Sequence, residues 1–119
     1  MVSPNYEQKC PMMRFVAIFS GKWAIPIVYH LIAAEHAVRF STLAKALAPI
    51  AQKELSKQLK LLEQHHLVQK KIYAEVPPRV EYQITALGKT LEQPLTSLAQ
   101  WMLNFEQQNQ SDDASSVLK

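Results

Sequence analysis

Glycine and cysteine are scarce in this chain of 119, at two and one, and each scarcity removes a class of function. Gly21 and Gly88 cannot build the glycine-rich loops that cradle nucleotide phosphates. Cys10 by itself makes no intramolecular disulfide and no cysteine-rich zinc site, so any protein disulfide must join two chains. The histidines, His30, His36, His65 and His66, show no HExxH or other ligand spacing, and no carboxylate pair sits in an apolar setting. The expectation is a protein that is not an enzyme and holds no metal or cofactor. Long apolar runs are missing too. The strongest, Trp23 to Ala34, is too short and interrupted to span a bilayer, and no charged n-region leads into one. The chain is therefore expected to be soluble and cytoplasmic, with no membrane partner.

Acidic residues are sparse where basic ones are dense. Arg39 to Lys89 holds nine Lys and Arg against Glu54, Glu63, Glu75 and Glu81, although the formal charge of the whole chain is only +3. Such a segment suits an anionic partner, and a solvated basic helix face would look the same at this level. The length suits one domain with a real core, small enough to gain from oligomerisation. The polar end, NQSDDASSVLK, is expected to be a frayed tail over 111–119 beyond a domain of 1–110.

Periodicity predicts mostly helix. MMRFVAIFS is a short helix with Pro11 in its first turn, and Ser20-Gly21 breaks it. KWAIPIVYHLIAAE carries Trp23, Ile27 and Leu31 at four-residue spacing, and Pro26 is tolerable only inside a first turn that begins near Lys22. After an extended VRF, STLAKALAP is a two-turn helix with Ser41 as N-cap and Pro49 as stop. In AQKELSKQLKLLEQHH, Leu55, Leu59 and Leu62 form a stripe at i, i+4, i+7, and Gln52, Lys53, Ser56, Lys57 and Lys60 take the other side. Val68 to Thr85 then alternates like a hairpin around Pro77-Pro78. The last helix, ALGKTLEQPLTSLAQWMLNFEQQ, has a seam of Leu91, Leu95, Leu98, Met102 and Phe105, with Pro94 bending it or marking an irregular early turn. The resulting fold class is mainly α with a small β-hairpin, a winged helix-turn-helix domain, whose last helix carries a seam as suited to its own core as to a partner.

The run CP…SGKW…RFSTLAKAL…IAQKELSKQLKLLE…YAEVPPRVEYQIT…LGKTL also resembles the HxlR-type winged helix-turn-helix transcriptional regulators, from Cys10 to about Trp101. VPPRVEY followed by T-x-x-G is the most specific part. The resemblance implies a dimeric DNA-binding domain built on its N-terminal segment and last long helix. In several members the cysteine before the first helix senses electrophiles or oxidants, a role that would fall to Cys10 here. Two positions depart from the pattern: Ala51 stands where the family places a capping Ser or Thr, and His66 where it places glycine.

Each candidate residue has a bland alternative. The recognition helix, about 51–65, would enter the major groove with Gln52 and Lys53 near base edges and Ser56, Lys57 and Lys60 on phosphates; a solvated face would carry the same charges. Thr42 and Lys45 on the preceding helix are weaker phosphate candidates. The wing, about 68–85, would bring Lys70, Lys71 and Arg79 to the backbone or minor groove, stiffened by the two prolines; the bland alternative is that the prolines guard an edge strand and Arg79 is a solvated charge. Cys10 lies before a helix N-terminus near Lys9 and Arg14, which favours a thiolate, yet a lone cysteine is usually a small buried hydrophobe. Phe15, Leu91, Leu95, Leu98, Trp101, Met102 and Phe105 are the expected dimer contacts. The expected partners are a roughly palindromic duplex and a second copy of the chain. A winged helix that binds protein instead is the main rival.

Overall fold

A computed structural model describes the backbone of residues 9–117 and the side chains of residues 9–110. The elements are α1 (Pro11–Ile18), α2 (Ala24–Ala34), β1 (Val38–Arg39), α3 (Phe40–Ala46), α4 (Gln52–Gln64), β2 (Val68–Tyr73), β3 (Arg79–Ile84), α5 (Ala86–Lys89) and α6 (Glu92–Val117). They fall into two compact units, Met1–Lys89 and Thr90–Lys119.

The core of the first unit follows from helical spacing. Ala24, Ile27, Val28, Leu31 and Ile32 bury one side of α2, and Leu55, Gln58, Leu59 and Leu62 one side of α4. Leu43 of α3 closes the cluster; it is as fully buried as Ile27, Leu31, Leu55 and Leu59. Truncating one of these, such as Leu59→Ala, removes transfer energy and leaves a cavity, together worth about 2–5 kcal/mol. Pro26 is the third residue of α2, inside the first turn where its missing N–H costs nothing, as its position required.

The sheet is antiparallel with order β1-β3-β2. Val38 and Arg39 of the VRF segment thus form a third strand, pairing Val38 with Tyr82 and Arg39 with Glu81. This pairing corrects the cap expected at Ser41. The chain is held extended through Arg39, so α3 starts at Phe40 with Arg39 as its flanking residue and no side-chain cap. The expected single last helix is also divided, into α5 and α6. Pro94 explains the division, because it has no N–H for the Thr90 carbonyl four residues earlier and its ring crowds that carbonyl. Helix α6 continues to Val117, past the point at which the tail was expected to begin. The side chains of that tail and residues 118–119 lie outside the described residues.

Candidate nucleic-acid interface

Helices α3 and α4 are joined by residues 47–51, a tight turn closed by Leu47 N–H to Leu43 O (3.0 Å) and Ile50 N–H to Leu47 O (3.1 Å). Ile50 is buried beneath the turn. With its leucine stripe fixed in the core, α4 turns the remaining side outward. Gln52, Lys53, Ser56, Lys57 and Lys60 are all exposed, as are Thr42 and Lys45 on α3. The structure therefore brings the sequence-predicted amide, hydroxyl and ammonium groups onto one helix face.

Both ends of α4 reflect the two unusual residues. Ala51 takes the extended N-cap geometry (φ −71°, ψ 142°) but offers no side-chain acceptor, which costs on the order of 1 kcal/mol relative to serine. At the other end His66 adopts φ 61°, in the left-handed region. His66 N–H donates to Glu63 O (3.0 Å) and Leu67 N–H to Leu62 O (3.0 Å), the two bonds of a Schellman cap, with Leu62 and Leu67 both buried. A histidine thus occupies the glycine position with its cap bonds intact, at the cost of backbone strain.

Sequence reasoning missed the brace beneath this cap. Thr85 Oγ1 lies 2.7 Å from His66 O and 3.0 Å from Leu67 O as donor, and it accepts from Gly88 N–H at 2.9 Å. Thr85 N–H also donates to Leu67 O at 3.0 Å. A Cβ on Gly88 would collide with the Leu67 carbonyl oxygen. The T-x-x-G spacing is an N-cap and its N3 residue, and that signal was available in the sequence; its partner, the end of the recognition helix, was not. Gln58 was also missed. It is buried, donates to Glu54 Oε1 at 2.9 Å, and lies where a Cβ on Gly21 would come within 2.5 Å of its Nε2.

The wing projects beyond the core. Its register runs from Val68 opposite Ile84 to Tyr73 opposite Arg79, with residues 74–78 as the loop. Burial fades along it: Val68 is 2% exposed, Ile72 63% and Val76 fully exposed at the tip. Lys70 and Lys71 are exposed on opposite faces, as adjacent strand residues must be. Arg79, expected at the DNA backbone or minor groove, has partners within the wing. Its guanidinium reaches Glu75 Oε1 (3.4 Å) and Glu81 Oε2 (3.5 Å) and lies 3.9 Å from the centre of the Tyr73 ring. Its Nε is buried without a hydrogen-bond acceptor. Lys71 Nζ lies over the same ring at 5.0 Å. Burial, and then the nearby Glu63 carboxylate, push the Tyr82 hydroxyl above its usual range.

The remaining candidates lie elsewhere. Cys10 is the half-buried flanking residue of α1, and its carbonyl accepts from Arg14 N–H at 3.1 Å. Phe15 stacks on Phe19 with ring centres 4.6 Å apart. On α6, Leu98, Trp101, Met102 and Phe105 are exposed, with the Trp101 and Phe105 rings stacked at 5.1 Å, and Leu103 joins them. Leu95 is buried, at 4% exposure, and Leu91 is half-buried. No helix among the described residues is long and apolar enough to cross a membrane.

The geometry defines a winged helix-turn-helix, and comparison with known proteins gives its family. Residues 18–110 match the model of the HxlR-like helix-turn-helix family, so the chain belongs to that family. It is 36% identical over 92 residues to the HTH-type transcriptional regulator YdeP of Bacillus subtilis (strain 168), covering 77% of this chain and 70% of that one. Among solved structures it is similar to the redox regulator HypR in its reduced form (31% identity, TM-score 0.74, 86% of this chain and 99% of that one). It is also similar to the reduced transcriptional regulator YodB from B. subtilis (28%, TM-score 0.66, 77% and 89%). Its relatives are transcriptional regulators rather than enzymes.

Proposed function

We propose that this protein is a homodimeric transcriptional regulator that binds duplex DNA, with α4 in the major groove and the wing on the backbone or minor groove. The carrying observation is the outward face of α4: every polar group the sequence offered there is exposed, on a helix whose opposite face is locked into the core. Gln52 and Lys53, at the N-terminal end that enters a groove first, read base edges; Ser56, Lys57 and Lys60, with Thr42 and Lys45, hold phosphates. Lys70 and Lys71 supply wing charge, and Arg79 shapes the wing through its two carboxylates as well as adding charge. Residues 1–110 form the working module. The stacked Trp101 and Phe105 anchor a second copy through α6, with Phe15 of α1 contributing.

Fluorescence anisotropy with the DNA upstream of its own gene, titrated with salt, tests the reading. Phosphate contacts make affinity fall steeply as salt rises, with a slope of about −0.9 per contact. Flat salt dependence, or equal affinity for every duplex, would leave a protein-binding winged helix instead. Sedimentation must show a dimer at micromolar concentration. HypR and YodB are named for redox regulation and for a reduced form, which supports a sensing role for Cys10 at the start of α1. An oxidant such as diamide, or an electrophile such as a quinone, then changes operator affinity in the parent and leaves Cys10→Ser unaffected. An equal response from Cys10→Ser removes the cysteine from the signal.

A further inference from the structure

The wing and the helix-turn-helix enclose a cleft of about 560 Å³, within the range of roughly 300–1,000 Å³ typical of small-molecule sites. Strand alternation creates it. Val68, Lys70 and Ile72 share a sheet face with Val80, Tyr82 and Ile84, by their register and by period-two geometry. At the base this face is sealed by the core, with Tyr82 only 7% exposed; toward the tip the strands outrun the helices, and the same face opens to solvent. The Phe40 and Tyr82 rings, 6.4 Å apart, line the cleft together with Val80. Ser41 and Ser56 add hydroxyls and Lys70 an ammonium. Arg79 and Glu75, also in the wall, pair with each other, whereas Lys70 makes no ion pair among the described residues. The cleft thus combines aromatic surface, serine hydroxyls and two cations, Lys70 and Arg39, that make no ion pair among the described residues.

We propose that this cleft binds a small organic anion: a carboxylate or sulfonate head at Lys70, Ser41 and Ser56, and a flat aromatic body against Phe40, Val80 and Tyr82. A charged head on an unpaired ammonium gives orientation, and the apolar body gives area. Bound there, the anion competes with DNA, since Ser56 and Lys70 belong to the surface offered to the duplex; this second half rests on the proposed function.

The probe is 2-naphthoate, with neutral 2-naphthalenemethanol beside it, measured by equilibrium dialysis on the full chain without DNA. The expected result is saturable binding of one naphthoate per protomer, tighter than the alcohol. Lys70→Ala weakens naphthoate by roughly tenfold, the value of one charge-assisted contact, and leaves the alcohol unchanged. Ser56→Trp, an exposed position whose new ring fills the cleft, abolishes both; circular dichroism verifies that each variant is folded. The cleft assignment is overturned if naphthoate does not saturate at millimolar concentration, if it binds no better than the alcohol, or if both variants bind like the parent. In the DNA arm, naphthoate raises the apparent Kd for the upstream duplex in the parent, and Lys70→Ala needs roughly tenfold more naphthoate for the same rise. Naphthoate held in the cleft with unchanged DNA affinity overturns competition alone. A parent that binds no DNA overturns the proposed function and competition, and leaves the dialysis result standing.

Discussion

A single methyl group at Gly88 tests whether the base of the wing is as rigid as its geometry implies. In Gly88→Ala the new Cβ meets the Leu67 carbonyl oxygen and lies 2.6 Å and 2.9 Å from Ile84 Cδ1 and Cγ1. The carbonyl cannot retreat freely, because it accepts from Thr85 N–H and faces Thr85 Oγ1, both at 3.0 Å. Overpacking of this kind costs about 1–3 kcal/mol, and weakening the converging bonds adds about 1 kcal/mol each. Alanine returns about 1 kcal/mol of helix propensity, an upper bound in the four-residue α5. The balance is a loss of about 2 kcal/mol, or roughly 10 °C in melting temperature for a domain of this size. Thermal unfolding followed by circular dichroism measures it, at matched protomer concentration because a dimer's midpoint depends on concentration. Gly21→Ala is the comparison: there the new Cβ meets the end of the Gln58 side chain, which can rotate aside, so the loss is smaller. A Gly88→Ala protein that melts at or above the parent would refute the reasoning, showing that the backbone yields and propensity decides.

Three further outcomes are expected. Ala51→Ser supplies the missing acceptor at the start of α4 and raises stability by about 1 kcal/mol, read by urea unfolding. The raised Tyr82 hydroxyl means that the folded state holds its proton more tightly than the unfolded chain, where tyrosine ionises near 10.0. Its contribution is therefore complete below that pH and is lost as pH rises through the higher folded value; Tyr82→Phe shows a smaller fall in stability between neutral pH and the alkaline range than the parent. Lys53→Ala weakens operator binding by about 1–3 kcal/mol and relaxes base preference, whereas Arg79→Ala weakens all sequences evenly and flattens the salt slope, both read by anisotropy. Parent-like binding by both variants would remove both residues from the interface.

Local spacing determined much of this protein. The leucines at 55, 59 and 62 make one face of α4 a core face whatever else the chain does, and that fixes Gln52, Lys53, Ser56, Lys57 and Lys60 as its outward side. Pro26 set the start of α2, and alternation set the hairpin, because both rest on backbone geometry within a few residues. Tertiary structure decided what depends on distant partners. Pairing of β1 with β3 moved the start of α3 from the expected Ser41 cap to Phe40, since pairing with the distant Glu81 holds Arg39 extended. The sequence offered Arg79 as a wing cation for DNA, and only folding set Glu75, Glu81 and Tyr73 around it. Thr85 and Gly88 announced a cap by their spacing, but only the fold showed that the carbonyls they brace end the recognition helix, because that contact joins segments with no shared local pattern.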